Sequence, residues 1–196
     1  EACRRILTVM AEENVHEQTS DDILVSLARS GDLDAIDALI DRYYNICFRT
    51  CMTILRDQDH ASDACQNCFL KIIKNIDKYR GDGSFRGWAL TIARNESLGF
   101  LRRRKVRKEV LIEREDRHTK EEKQDDISDD VITRMEASRV RKAFTNLPEK
   151  QRLTVRLRID EGLSFREIGR VIGSSEGSAR GNYYHGIRKL REILKS

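Results

Sequence analysis

Six cations fall within seven positions at Arg102, Arg103, Arg104, Lys105, Arg107 and Lys108. Lysine and arginine displace condensed counterions from phosphate backbones, so such a run can follow a polyanion. Tyr79, Phe85 and Trp88 precede it, and aromatic rings beside cations can stack on unpaired bases. Phe85 and Trp88 share a helical face with Ile92 and are expected in a core, which leaves Tyr79, next to a glycine loop, as the exposed ring. A second constellation is made of thiols. Cys47 and Cys51 lie one helical turn apart, as do Cys65 and Cys68, with His60 nearby and Cys3 near the amino end. Four thiolates on facing helices could hold zinc. The same positions continue apolar stripes, where free cysteine behaves as a small buried hydrophobe, and no metal is expected. His16, His60, His118 and His185 are scattered, and neither a nucleophile–base pair nor a phosphate-cradling glycine loop is present. The pattern predicts no enzyme and no cofactor.

The elements that carry these residues read as helices. Of 196 residues, 39% are hydrophobic and 36% charged, with a single proline, which leaves little material for sheets and predicts an all-α chain. The length suits two small domains better than one large core. No stretch approaches the roughly 18 uninterrupted apolar residues of a membrane span. The opening EACRRILTVMAEENVHEQTS lacks the pattern of a secretory signal, so the expected compartment is the cytosol, where structural disulfides are rare.

Charge divides the chain. Residues 21–108 carry a net +4, 109–133 carry −6 and 134–196 carry +8. We read 1–20 as an amino-terminal extension, 21–108 as a first basic module, 109–135 as a flexible acidic linker and 136–196 as a second basic module. The linker has too few apolar residues to offset the entropy of ordering.

In the first module, Leu39, Ile40, Tyr43, Tyr44, Cys47, Phe48 and Cys51 recur at steps of three and four, the mark of one helical stripe. A second amphipathic stretch directs Phe69, Ile72, Ile73 and Ile76 inward, and RGDGS ends it. Ser84 can cap the next helix, which finishes in the cationic run, where the macrodipole favours positive charge. In the second module Pro148 opens a helix, Glu161 and Gly162 break it, and Ser164 with Glu167 forms a capping box. Gly173 closes that short helix and Ser175 caps a longer one with Ala179, Tyr183, Ile187, Leu190 and Leu194 inward. This is a helix-turn-helix layout, whose second helix enters the DNA major groove.

The string ASDACQNCFLKIIKNIDKYRGDGSFRGWALTIARN followed by LRRRK, within Asp22 to Arg107, resembles region two of the extracytoplasmic-function (group IV) sigma factors of the bacterial sigma-70 family. The strings LPEKQR and EGLSFREIGRVIGSSEGSAR resemble region four of the same family. The resemblance implies a promoter-specificity subunit of RNA polymerase, built from two helical domains in this order. It implies that Asp63, Gln66 and Asn67 dock on the clamp helices of the largest core subunit. Asn67 stands where the family usually has glutamate, which removes a charge-assisted contact. It further implies that Tyr79, Ile92 and Asn95 line a pocket for a base flipped from the minus-ten element, and that Arg102, Arg103, Arg104 and Lys105 hold promoter phosphates. Arg180, Gly181, Tyr184 and His185 would face the minus-thirty-five element, while the second module rests on the β-subunit flap. An anti-sigma factor is the implied restraining partner. Gly181-Asn182 replaces the family's usual Ser-Arg, and Gly186 follows; these glycines weaken the helix or allow a close backbone approach to DNA or a partner. The alternative class is a free-standing helix-turn-helix regulator whose first module senses a signal or binds another protein.

Overall fold

The computed structural model describes residues 19–81, 83–112 and 139–195, the side chains of 107–112 excepted. Most of the expected amino-terminal extension, most of the acidic linker, Cys3, and the side chains of Arg107 and Lys108 lie outside the described residues. Every regular element among the described residues is helical. Helix α1 spans Asp21–Arg29, α2 Leu33–Leu55, α3 Gln58–Lys74 and α4 Phe85–Ile112, with a short 3-10 turn Ile76–Lys78 after α3. Residues 139–145 are helical. Helices α5 (Glu149–Ile159), α6 (Phe165–Ile172) and α7 (Glu176–Lys195) follow.

Local chemistry sets the boundaries. Asp32 accepts a bond from Ala35 N at 3.1 Å and starts α2; Asp57 accepts from His60 N at 2.9 Å and starts α3. Between α2 and α3 the chain reverses through Arg56, held left-handed at φ 57°. Asp21 ties α1 to α2 by accepting from Arg42 Nη1 at 2.7 Å and from the Tyr43 hydroxyl. Burial and the neighbouring Asp21 carboxylate push the Tyr43 phenol well above its usual range.

Helices α2, α3 and α4 pack on one another, and Leu39, Tyr43, Cys47, Cys51, Phe69, Ile72, Phe85 and Leu90 are buried between them. Two expectations for this module change. Ile73 and Tyr44 lie at the rim, each 38% exposed, because the buried arc is narrower than the apolar stripe. Helix α4 does not finish in the cationic run but continues to Ile112. The macrodipole acts only within the last turn, so it does not account for cations at 102–105.

The second module follows its capping chemistry closely. Ser164 Oγ accepts from Glu167 N at 3.2 Å while the Glu167 carboxylate accepts from Ser164 N at 2.9 Å. Gly173 ends α6 at φ 62°, and Ser175 Oγ accepts from Ser178 N at 3.1 Å to start α7. Ala179 and Leu190 are buried, whereas Leu194, expected inward, is 38% exposed near the helix end. Gly186 answers the question of close approach within the module itself. A Cβ there would sit 2.7 Å from Val155 Cγ2, so the glycine lets α7 lie against α5.

The two modules touch. Helix α6 packs on α4 and α5 packs on α2, and Leu153, Leu157, Ile168, Val171 and Ile172 belong to the same buried apolar cluster as the bundle. A smaller cluster of Ala143, Leu147, Val155 and Leu190 is private to the second module.

Candidate nucleic-acid interface

The loop between the 3-10 turn and α4 borders a cavity of about 380 Å³. Tyr79, Trp88, Lys78 and Arg80 line it on the side of the first module, and Glu167 and Arg170 on the side of the second. Its aromatic wall is part of a continuous set, with Tyr79 to Trp88 ring centroids 5.4 Å apart and Tyr79 to Phe85 5.5 Å. Tyr79 is not the exposed ring. It is buried, its hydroxyl donates to Gly83 O at 2.6 Å, and its carbonyl accepts from the Arg29 guanidinium. The phenol satisfies its polar end on the glycine loop, which the loop's proximity in sequence did not reveal. Phe85 is core, as expected, while Trp88 is half-buried and lines the cavity.

Of the three residues expected around a base pocket, Tyr79 alone lines this cavity. Ile92 is half-buried against the core. Asn95 is exposed further along α4, where its Oδ1 lies 3.4 Å from Arg94 Nη1.

Asp63, Gln66 and Asn67 come together on the exposed face of α3. They share a cleft of about 370 Å³ with His60, Phe100, Arg103 and Arg104, so the cationic run of α4 lies beside them. Asn67 Nδ2 donates to Asp63 O at 2.9 Å, one turn back. The His60 ring lies 4.5 Å from that of Phe100, closing one wall of the cleft. Arg102, Arg103, Arg104 and Lys105 are all exposed. A solvated cationic face of this kind suits phosphate contact.

The cysteines behave as core residues. Cys47, Cys51, Cys65 and Cys68 are fully buried, and three of the thiols point at backbone carbonyls, Cys51 at Ala93 O, Cys65 at Tyr44 O and Cys68 at Ala89 O. Burial pushes the Cys51 thiol up to about 11 and the Cys65 thiol higher still. Thiols held neutral in this way are poor nucleophiles. Among the described residues no group of three or more histidine, cysteine or acidic side chains is placed to hold a metal ion.

On α7, Gly177, Gly181, Tyr184, His185 and Arg188 leave their face uncovered by the rest of the module. Tyr184 is 62% exposed, and nothing lies within 4 Å of where a Cβ on Gly181 would be. Arg180 is anchored instead of extended. It pairs with Glu176 at 3.0 Å and its guanidinium sits over the Phe165 ring, 5.5 Å from the centroid.

The residues that sequence reasoning missed join the modules. Glu161, expected only to break a helix, accepts from Arg49 Nη2 at 2.6 Å and Arg86 Nη2 at 2.8 Å. Glu167 accepts from Ser84 Oγ at 2.8 Å in addition to its capping bonds. Burial alone would raise its carboxyl, but bonds from Ser164 and Ser84, with Arg86 nearby, hold it below the ordinary carboxylate range. Arg152 is buried and donates to Thr53 O at 3.0 Å and Leu147 O at 3.2 Å; burial and Arg56 pull its guanidinium down to about 10. The partners across the junction are 75 to 112 residues apart in the chain, beyond any local spacing rule.

Comparison with known proteins agrees with both modules. Sigma-70 region 2 matches residues 39–107 and sigma-70 region 4 matches residues 143–192. The RNA polymerase sigma factor CarQ of Myxococcus xanthus is 32% identical over 166 residues, covering 85% of this chain and 92% of that protein. The ECF RNA polymerase sigma factor SigE of Mycolicibacterium smegmatis is 33% identical over 156 residues, covering 79% of this chain. The chain spans only 58% of SigE's own length. Among solved structures, the sigma factor RpoE in complex with the anti-sigma factor NepR from Bartonella quintana shares the fold, with a TM-score of 0.64, 19% identity, and coverage of 81% of this chain and 96% of that one. No helix among the described residues is long and apolar enough to cross a membrane. With two family regions in the family's order and a relative matched almost end to end, the chain belongs to the extracytoplasmic-function group of the sigma-70 family of RNA polymerase sigma factors.

Proposed function

We propose that the chain joins core RNA polymerase in the bacterial cytoplasm and directs initiation at promoters carrying a minus-ten and a minus-thirty-five element. The observation that supports this best is the exposed α3 face of Asp63, Gln66 and Asn67 lying beside the exposed cations of α4. One end of the bundle thus offers a docking surface and a phosphate-binding surface side by side. In this reading Asp63, Gln66 and Asn67 meet the clamp helices, and Arg102, Arg103, Arg104 and Lys105 hold promoter backbone. Tyr79 and Trp88 form the wall against which an unpaired base stacks, with Asn95 and Ile92 further along the same strand path. The uncovered face of α7, with Gly181, Tyr184 and His185, reads intact duplex in the major groove, Arg180 stands at its edge, and the second module rests on the flap. The chain forms and breaks no bonds itself. A restraining protein partner is part of the proposal, since the RpoE neighbour is itself bound by an anti-sigma factor.

Run-off transcription with purified core enzyme tests the reading. Transcripts that appear only when the chain is added, and that share two upstream boxes, are the expected result. A chain that binds duplex DNA specifically by itself and leaves core output unchanged would be a free-standing regulator instead.

A further inference from the structure

On the side of the bundle formed by α2 and α3, apolar side chains gather at the surface. Ile36 and Ile40 of α2 meet Phe69, Ile73 and Ile76 along a shallow groove. Tyr44 prolongs the α2 wall, its ring stacked on Phe69 with centroids 6.1 Å apart. Leu33, one turn before Ile36, is 71% exposed, and Leu70, one turn before Ile73, is 65% exposed. Single exposed apolar residues are ordinary, but a row of them with a charged rim marks a docking surface.

The rim is acidic on its α2 edge. Asp34, Asp37 and Asp41 are all exposed there, and none of them forms an ion pair with another described residue. Like charges three and four residues apart on a helix oppose one another, so this edge favours a cationic occupant. Lys74, exposed, follows Ile73 on the α3 edge.

The chain itself carries a segment of matching chemistry. Residues 4–10 read RRILTVM, two cations followed by an apolar run, and Glu12 and Glu13 come next. Ile6, Val9 and Met10 have the spacing of anchors that enter a groove between helices. The cations suit the α2 edge and the acids suit Lys74.

Reach allows the match. Asp21 bonds Arg42, so α1 starts beside the middle of α2, level with the groove's Tyr44 end. Eight residues, 11–18, join the segment to Thr19, and extended they span about 26–29 Å. A helix with its side chains is only about 10–12 Å across, so the segment can pass from the α1 side of α2 to the α3 side. A tether this short holds the segment at an effective concentration on the order of millimolar. The contact therefore closes within one chain before it forms between two.

We propose that residues 4–10 dock in the α2–α3 groove of their own chain, with Ile6, Val9 and Met10 in the groove and Arg4 and Arg5 on the acidic edge. Leu70 continues the exposed α3 row of Asp63, Gln66 and Asn67, so the docked segment borders the face assigned above to the clamp helices. The docking itself does not rest on that assignment.

Paramagnetic broadening in the full, isotope-labelled chain tests the contact. Cys47, Cys51, Cys65 and Cys68 are fully buried, so a thiol-specific nitroxide is directed to Cys3, next to the segment, with single labelling checked by mass. The amide signals of Ile36, Ile40 and Ile73 are expected to be lost while the nitroxide is oxidised and to return on reduction with ascorbate, with those of α7 unchanged. Arg4→Glu with Arg5→Glu should abolish the loss. Adding Asp37→Lys and Asp41→Lys, at exposed positions outside the core, should bring it back. Signals retained in the original chain, a loss spread evenly over α2, α3 and α7, a loss that survives Arg4→Glu with Arg5→Glu, or a charge swap that fails to restore it would each overturn the proposal. A mixture of nitroxide-bearing unlabelled chain with isotope-labelled chain lacking nitroxide should show no loss; loss there would give the groove to a second copy and overturn docking within the chain. These readings need neither polymerase nor DNA, so absence of run-off activity would sink the sigma-factor reading and leave them standing.

Discussion

The amino-terminal bundle closes its own core, with long helices α2, α3 and α4 meeting around Phe85 and Leu90, whereas the carboxy-terminal module divides its apolar residues between two places. Ala143, Leu147, Val155 and Leu190 form a private cluster, while Leu153, Ile168, Val171 and Ile172 are continuous with the bundle. Short helices bury little surface each, so a module built from helices of 11, 8 and 20 residues gains from leaning on a neighbour. The difference predicts one-way dependence. Damage to the bundle should reach the second module, and damage to the second module's private cluster should stop there.

The largest effect is expected from Phe85→Ala, which empties the centre of the bundle and should cost about 3–5 kcal/mol. Chemical denaturation followed by circular dichroism should show both modules weakened; a second module of unchanged stability would break the one-way dependence. Gly186→Ala comes next. Its new methyl meets Val155, and overpacking of this kind costs about 1–3 kcal/mol. Amide hydrogen exchange should show α7 opening at lower denaturant while α2 and α3 keep their protection. Ser164→Ala removes the reciprocal cap of α6 and should cost about 1 kcal/mol, again without loosening the exchange protection of α2 and α3.

The smallest expected effect is a pH dependence. Because the Glu167 carboxyl is held below its ordinary value in the folded chain, its contribution is complete above the ordinary carboxylate range. It is lost as pH falls through the lowered folded value. Melting temperature should therefore drop on acidification, and Glu167→Gln should flatten that part of the profile. Identical acid limbs for the two proteins would show that the bonds from Ser164 and Ser84 do not stabilise the ionised form.

The helical elements were legible because they depend on short spacings. Ser164 and Glu167 stand three residues apart, Gly173 takes a left-handed φ, and the stripe from Leu39 to Cys51 repeats within one helix. Asp63, Gln66 and Asn67 came as a set only from the family resemblance, and α3 brings them together on one exposed face. What failed was anything decided by a partner far along the chain. Tyr79 looked exposed beside its glycine loop, but the loop folds back to accept its hydroxyl and Arg29 closes over its carbonyl. Gly186 pointed to a weakened helix or a close approach to DNA or a partner, and the neighbour it meets is Val155 of the same module. Glu161 looked like a helix breaker, and neither Arg49 nor Arg86 announces a partner more than seventy residues away.

Helix α4 carries a last consequence. It runs unbroken for 28 residues from the loop side of the aromatic wall past the cationic run, so about 26–30 Å of rigid rod separates Phe85 from residues 102–105. That length matches about eight nucleotide steps. The rod acts as a gauge with both a span and a phase: one residue inserted midway would lengthen it by only about 1.5 Å yet swing the cations about 100° around the axis. A promoter strand gripped at both marks would feel the rotation far more than the stretch.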